Sequence, residues 1–197
     1  MNSFNNLDLS KTYTYADYLL WKFEERVELF KGKIVKMSPA PGSAHQTISF
    51  NIAGELYSFL KNKSYRAFTA PFDVRLIKDE SSDHKIKTVV QPDICVVCDL
   101  NKLTDHKGCK GAPDLVVEIL SPGNNQREVK IKYDLYEEFG VKEYWVVYPT
   151  EQVITIYRLN AEGKYIAVGR SLTIGDILTT NILPGFELKM DDVFRGL

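Results

Sequence analysis

Two short apolar stretches of the sequence each carry one carboxylate where a buried strand usually has none. Asp93 stands at the start of one stretch (QPDICVV, residues 91–97), and Glu118 lies inside the other (LVVEIL, residues 115–120). Runs of this length and composition predict core strands. An ionised carboxylate in such a strand is costly unless a cation or hydrogen bonds compensate its charge. The two residues therefore indicate a site for a divalent metal ion.

The alternation of side chains along a strand decides which carboxylates can share one ion. Asp114 and Glu118 lie on the same face of their strand, but four residues separate them by about 13 Å. Asp93 can reach Glu118 if the two strands are neighbours. We therefore pair Asp93 with Glu118 and interpret Asp114 as a strand-start or loop-facing residue. For either member of the pair, a salt bridge at a strand end is the alternative.

The helix predicted over residues 126–139 adds a candidate lysine. At about 100° per residue its apolar side chains cover one broad arc, and Lys132 and Glu128 fall inside that arc. A lysine there extends its stem to solvent, pairs with Glu128 at i, i+4, or meets a buried anion. The third interpretation directs the Lys132 ammonium at Asp93 and Glu118.

Two further residues are weaker candidates when taken alone. His45 lies in the first turn of a helix predicted from about Ala44 to Asn62, with Ser43 as its cap, and a single histidine on an apolar face is more often structural. Glu28 lies in a hairpin strand and by itself would be an ordinary surface carboxylate. Both gain weight only from the family resemblance given below.

The remaining elements place these residues in an α/β domain. The strand, helix and strand around Glu118 and Trp145 predict a parallel crossover. We expect one domain over residues 1–197, with a mixed sheet flanked by helices, an N-terminal hairpin and C-terminal antiparallel strands. The other predicted elements are a short helix over 13–20 capped by Thr14, hairpin strands 26–30 and 33–37, strands near 66–70 and 72–77, and strands 144–148, 153–158 and 165–168.

Composition narrows the classes of function. The chain has 197 residues and a formal net charge of -1, which gives no global attraction to nucleic acid but allows a local basic groove. No apolar run approaches the roughly 20 residues that cross a bilayer, and the start lacks the pattern of a signal peptide, so we expect a cytoplasmic protein with no membrane contact. The residues that could form a basic groove are Lys61, Lys63, Arg66, Lys107, Lys110, Arg127, Lys130 and Lys132.

The three cysteines allow a different kind of site. Cys95, Cys98 and Cys109, with His106, superficially resemble a zinc set. Cys95 and Cys98 are separated by three positions in a predicted strand, however, and such a pair points to opposite faces. Buried structural cysteines are the favoured interpretation, and a zinc or thiol enzyme stays as a rival function.

Taken together, these residues give the sequence a family resemblance. It resembles the Uma-two family of putative restriction endonucleases, within the PD-(D/E)XK nuclease superfamily, from about Tyr13 to Phe194. The segments that carry the resemblance are residues 28–39 (ELFKGKIVKMSP), His45, residues 91–93 (QPD), residues 113–122 (PDLVVEILSP), Lys132, Tyr136 and residues 140–145 (GVKEYW).

The resemblance implies a restriction-endonuclease-like fold and a metal site. Asp93, Glu118 and the carbonyl of Ile119 would bind Mg²⁺, with Mn²⁺ as the other candidate ion. The superfamily motif places its lysine two residues after the glutamate, where this chain has Leu120. The family moves that lysine to the following helix, which matches Lys132.

The resemblance also implies roles for Glu28 and His45, which match positions near the site. Two departures stand outside the metal pair: Glu128 replaces an aspartate, and Tyr148 replaces the aspartate that usually follows the buried strand. The implied activity is metal-dependent hydrolysis of DNA, and a homodimer is plausible by analogy because two sites suit two strands. A catalytically inactive DNA-binding or regulatory module and a purely structural protein are the alternatives.

Overall fold

The computed structural model describes residues 4–37, 41–78, 82–121 and 126–197, without the side chains of Asn6 and residues 126–128. Its helices are α1 (Tyr15–Tyr18), α2 (Ser43–Leu60), α3 (Gln126–Phe139) and α4 (Met190–Val193), with 3-10 turns at Phe4–Asn6 and Leu100–Leu103. Its strands are β1 (Val27–Phe30), β2 (Lys33–Lys36), β3 (Arg66–Thr69), β4 (Val74–Arg75), β5 (Val89–Val90), β6 (Ile94–Val97), β7 (Cys109–Lys110), β8 (Leu115–Ile119), β9 (Glu143–Tyr148), β10 (Val153–Leu159), β11 (Tyr165–Ala167), β12 (Leu172–Thr173), β13 (Ile177–Thr179) and β14 (Glu187–Lys189).

Within the described ranges the strands form three sheets. The main sheet has the order β11-β10-β9-β8-β6-β3, with β12 paired to β10. Its β8–β9 pair is parallel, as the crossover through α3 requires, and its other pairs are antiparallel. A second sheet has the order β2-β1-β5-β4-β7, and β13 pairs with β14. The predicted fold class, a mixed sheet with flanking helices, an N-terminal hairpin and C-terminal antiparallel strands, is confirmed.

The centre of the main sheet is buried on both faces. Val117 of β8 packs in one core with Ile48, Ile52 and other residues of α2. Its neighbour Val116 packs in the other core with Leu135 of α3. Because alternate residues of β8 face different cores, the strand has a continuous apolar sequence, and any carboxylate in it is removed from water.

The ends of the helices follow their local sequence with one exception. α1 has the predicted Thr14 cap, with Asp17 completing a capping box. α3 ends at the predicted Phe139, and Gly140 follows with φ of 83°. The prediction of Ser43 as the cap of α2 is wrong, because Gly42 occupies that position and Ser43 is already helical. Across the described residues, no helix has the length and hydrophobicity to cross a bilayer.

The β1–β2 hairpin has the predicted tight turn at Gly32. Lys31 and Gly32 have φ of 51° and 83°, the pattern of a type I′ turn. A Cβ on Gly32 would overlap Thr12 Cγ2 and lie 3.0 Å from the Tyr13 carbonyl oxygen. The turn therefore requires glycine for both its backbone conformation and its close packing.

Gly32→Ala tests this double requirement against Gly163→Ala. Gly163 also has positive φ, 71°, but nothing lies within 4 Å of an added Cβ. We expect Gly163→Ala to lower the free energy of unfolding by about 1 kcal/mol. Gly32→Ala should lower it by about 1–3 kcal/mol more, because of the overlap. Urea unfolding of both variants gives the comparison, and equal losses would contradict it.

Candidate active site

The pairing of β6 with β8 brings the two predicted carboxylates together. Ile94 lies opposite Val117 in this antiparallel pair, so the next residues outward are Asp93 and Glu118. The Ile119 amide donates a hydrogen bond to Asp93 Oδ2 at 2.7 Å. β6 and β8 are therefore neighbours, which is the condition for pairing Asp93 with Glu118.

The α3 helix places Lys132 against Glu118. The Lys132 Nζ lies 3.0 Å from Glu118 Oε1, and the Tyr136 hydroxyl donates to the same oxygen at 2.6 Å. Only 11% of the lysine side chain is exposed, so its stem does not extend to solvent. The Glu128–Lys132 pair considered above involves a side chain outside the described residues.

Glu28 is also part of this buried site. Its Oε1 lies 3.3 Å from Lys132 Nζ and accepts a hydrogen bond from the backbone N–H of Gln91 at 2.8 Å. The residue is 2% exposed, so its interpretation as an ordinary surface carboxylate is wrong. The reason is tertiary, because β1 is an interior strand of its sheet, between β2 and β5.

His45 contacts the site from the first turn of α2. Its Nε2 lies 3.2 Å from Asp93 Oδ2. Burial lowers the pKa of His45, but the hydrogen bond and the charge of Asp93 outweigh burial, so that the pKa is raised. Its Nδ1 is buried and has no hydrogen-bond partner among the described residues. All five predicted side chains thus line one pocket. Within it Asp93 contacts His45, whereas Lys132 contacts Glu118 and Glu28.

Two residues that the sequence analysis named only among the marks of the family resemblance, Tyr136 and Gln91, support the site. Tyr136 lies one helical turn after Lys132 on the same arc of α3, and that spacing could have identified it. Gln91 is held by its own network, since its side chain accepts from Arg26 at 2.6 Å and donates to Asp73 at 2.9 Å. No spacing in the sequence indicates the hydrogen-bond network around Gln91.

The site has more negative than positive charge. Glu28, Asp93 and Glu118 surround a single buried ammonium, that of Lys132. Burial raises the pKa of Glu118 to about 7, with Asp93 and Glu28 adding to the effect and Lys132 opposing it. Burial disfavours the charged form of Lys132, but the carboxylates of Glu118 and Glu28 outweigh it and raise the pKa of Lys132. The lysine is therefore charged, and the site has room for a further cation or a proton.

The pocket beside these residues offers oxygen ligands. It has a volume of about 280 Å³, and Asp93, Glu118 and Ile119 line it. The hydrogen bonds and ion pairs that the described residues make with the two carboxylates fall on Asp93 Oδ2 and Glu118 Oε1. The second oxygen of each carboxylate makes no hydrogen bond or ion pair with the described residues, and carboxylate oxygens suit Mg²⁺. Across the described ranges, no three His, Cys, Asp or Glu side chains form a metal cluster, and the proposed set contains only two.

The cysteines do not form a competing site. Cys95 and Cys109 are buried free thiols. Cys95, Cys98, Cys109 and His106 all lie in the described ranges, where no three potential ligands form a metal cluster. Burial raises the pKa of Cys109 to about 12 and that of Cys98 to about 11, which disfavours the thiolate that nucleophilic attack needs.

The opposite end of β8 is structural. Asp114 is buried, accepts a hydrogen bond from the Cys98 amide at 2.8 Å and pairs with Lys142 at 2.7 Å. A larger surface hollow of about 1100 Å³ lies at this end. Two ion pairs lie in its lining, Asp114–Lys142 and Glu137–Lys164, so these charges are already compensated.

Comparisons with known proteins identify the family and the fold. Residues 15–191 match the family model Uma2, described as "Putative restriction endonuclease". The fold is similar to a crystal structure described as a putative nuclease belonging to DUF820 from Anabaena variabilis ATCC 29413, with a TM-score of 0.68. The two chains are 22% identical, and the match covers 92% of this chain and 97% of the other. Among curated proteins no sequence matches.

Removing the Lys132 charge tests the buried ion pair. Lys132→Met leaves Glu28 and Glu118 buried without their cation, and we expect the free energy of unfolding to fall by about 3–5 kcal/mol. Adding Glu118→Gln to Lys132→Met should restore part of the lost free energy of unfolding. The control is Lys130→Met on the same helix, because Lys130 is 73% exposed in its pair with Asp134 and should contribute about 0.5 kcal/mol or less. Similar losses for Lys130→Met and Lys132→Met in urea unfolding would contradict the burial argument.

Proposed function

The chain belongs to the Uma2 family, and from this membership and the site geometry we propose that it is a metal-dependent endonuclease that hydrolyses DNA phosphodiester bonds. One observation carries the proposal above all: a buried lysine and two carboxylates of neighbouring strands, Asp93 and Glu118, meet at one pocket. The metal, the DNA substrate and the residue roles below are parts of this proposal.

The donor set favours Mg²⁺, with Mn²⁺ as an alternative ion. Asp93, Glu118 and the carbonyl of Ile119 would hold it, because all three residues line the pocket and carboxylate and carbonyl oxygens are the ligands that hard cations prefer. A bound Mg²⁺ supplies an acidified water and neutralises charge on a phosphate.

Lys132 acts as a fixed positive charge in this proposal. The two carboxylates beside it raise its pKa, so it stays protonated and does not serve as a general base. Its ammonium can orient a water through a hydrogen bond and stabilise the negative charge that develops on the phosphate. Glu28 helps to hold the ammonium in place through its contact at 3.3 Å.

His45 and Tyr136 fix the two carboxylates. His45 contacts Asp93 Oδ2, and the Ile119 amide donates to the same atom. The Tyr136 hydroxyl donates to Glu118 Oε1. Both contacts leave the remaining carboxylate oxygens for the pocket, so we propose that His45 and Tyr136 are positioning residues. His45 can also contact the phosphate or transfer a proton once substrate enters.

A cleavage assay on plasmid and single-stranded DNA with Mg²⁺ or Mn²⁺ tests the proposal. Glu118→Gln and Asp93→Asn keep the size of the side chains but remove metal-binding charge, and we expect each to lower the cleavage rate at least about a hundredfold. Lys132→Ala should lose cleavage as well, and its thermal unfolding must be measured beside it because the change removes a buried charge.

The matched control is Asp114→Asn. Asp114 is a buried carboxylate four residues earlier on the same run, but it pairs with Lys142 outside the pocket, so this variant should retain cleavage. Wild-type protein that binds DNA without cutting it would favour the inactive DNA-binding module. Equal cleavage by wild type, Glu118→Gln and Asp93→Asn would contradict the assignment.

The pKa of Glu118 gives metal binding a defined pH dependence. Since burial raises this pKa to about 7, protonation of Glu118 favours the metal-free fold at low pH, and that stabilisation is lost as the pH rises through about 7. Metal binding requires the carboxylate, so Mn²⁺ affinity should fall up to about tenfold for each pH unit below 7. Protonation of His45, which competes for Asp93, acts in the same direction.

Calorimetric titration with Mn²⁺ at several pH values measures this dependence. Proton release on binding should appear in buffers that differ in ionisation enthalpy. Glu118→Gln should lose most of the affinity and most of its pH dependence. A Mn²⁺ affinity that does not change between pH 6 and 8 would contradict the role of Glu118.

A further inference from the structure

A groove leads away from the candidate active site between α2 and β3. Ala53 of α2 and Thr69 of β3 line both the active-site pocket and this groove, so the two are adjacent. The groove has a volume of about 450 Å³ and reaches Lys61, Lys63 and Arg66 at its far end. Because β3 is the edge strand of the main sheet in the described structure, this side of the groove is not covered by another strand.

Two exposed aromatic rings follow the groove along α2. Phe50 lines the active-site pocket and is 79% exposed, and Tyr57 lines the groove and is 71% exposed. Their spacing of seven residues places them on the same face of the helix, about 10 Å apart. Gly54 lies between them, and nothing occupies the space within 4 Å of its missing Cβ. The rings therefore face open space on a helix whose other apolar face is buried.

The far end of the groove carries concentrated positive charge. Lys61, Lys63 and Arg66 are exposed, and none of them pairs with a carboxylate among the described residues. The Arg66 guanidinium donates to the carbonyls of Lys63, Ser64 and Tyr65, which hold it at this end. Of the eight basic residues considered from the sequence, these three share one surface, whereas Lys130 and Lys107 pair with acidic residues elsewhere.

We propose that this groove binds a single-stranded segment of nucleic acid and leads it to Asp93 and Glu118. Bases would stack on Phe50 and Tyr57, and phosphates would contact the three cations. A duplex fits the rings less well, because its bases already stack on one another and present no free face. The choice of nucleic acid as the ligand rests on the proposed nuclease function.

Fluorescence anisotropy of a labelled oligothymidine with metal-free protein tests this inference. Without metal there is no cleavage, so the measurement reports binding alone, and an inactive protein can still bind. We expect the oligothymidine to bind more tightly than a duplex of the same length. Phe50→Ala and Tyr57→Ala should each weaken its binding about fivefold or more, whereas Tyr57→Phe, which keeps the ring, should bind like wild type.

The cations are tested through the salt dependence of the same binding. Replacing Lys61, Lys63 and Arg66 together by Gln should make the negative slope of the logarithm of the binding constant against the logarithm of the salt concentration shallower by about 2. Ile166→Ala is the control, because Ile166 is an exposed apolar residue on β11, at the opposite edge of the main sheet, and should leave binding unchanged.

Three results would overturn the inference. The first is the absence of oligothymidine binding. If the same protein cleaves DNA, this result refutes binding in the groove and leaves the proposed nuclease function intact. The second is unchanged binding in Phe50→Ala and Tyr57→Ala. The third is a change of oligomeric state in these variants by analytical ultracentrifugation, which would identify the aromatic face as a contact between two copies of the chain.

Discussion

The arrangement of this protein depends on the contact between the Lys132 ammonium and the Glu118 carboxylate. Glu118 lies in the centre of a sheet that is covered on both faces, where an isolated ionised group is costly. Lys132 is the only buried ammonium beside it in the described residues, and Tyr136 completes the hydrogen bonding of the same oxygen. Removing the ammonium would leave Glu118 and Glu28 without their cation, whereas removing the Glu118 charge would leave Lys132 paired with Glu28.

This contact needs several separate elements in their observed places. β1 supplies Glu28, β8 supplies Glu118, and α3 crosses between two parallel strands to supply Lys132. A buried ion pair adds little net stability compared with apolar residues of the same volume. In our proposal the excess of carboxylates over ammonium groups serves to bind a further cation in the pocket that Asp93 and Glu118 line.

Much of the site could be predicted because charged residues interrupted apolar patterns. Asp93 and Glu118 stood out in strands, and Lys132 stood out on the buried arc of a helix with a clear 3.6-residue period. Glu28 did not stand out, because its burial depends on the contact of β1 with β5, about 60 residues later in the chain. Gln91 and the groove beside α2 depend on the same kind of distant contact, which no local pattern reports. The fold class followed from the strand, helix and strand order, whereas the cap of α2 moved by one residue because Gly42 adopts the extended backbone of the cap position.

We propose above all that Asp93 and Glu118 hold a hard cation beside the Lys132 ammonium. The most direct measurement is a crystal structure of the protein soaked in Mn²⁺, with anomalous difference maps collected to locate the ion. We expect one strong peak in contact with carboxylate oxygens of Asp93 and Glu118 and the Ile119 carbonyl oxygen, with Lys132 still paired to Glu118. A fully occupied Mn²⁺ elsewhere, with no peak between these two carboxylates, would contradict it.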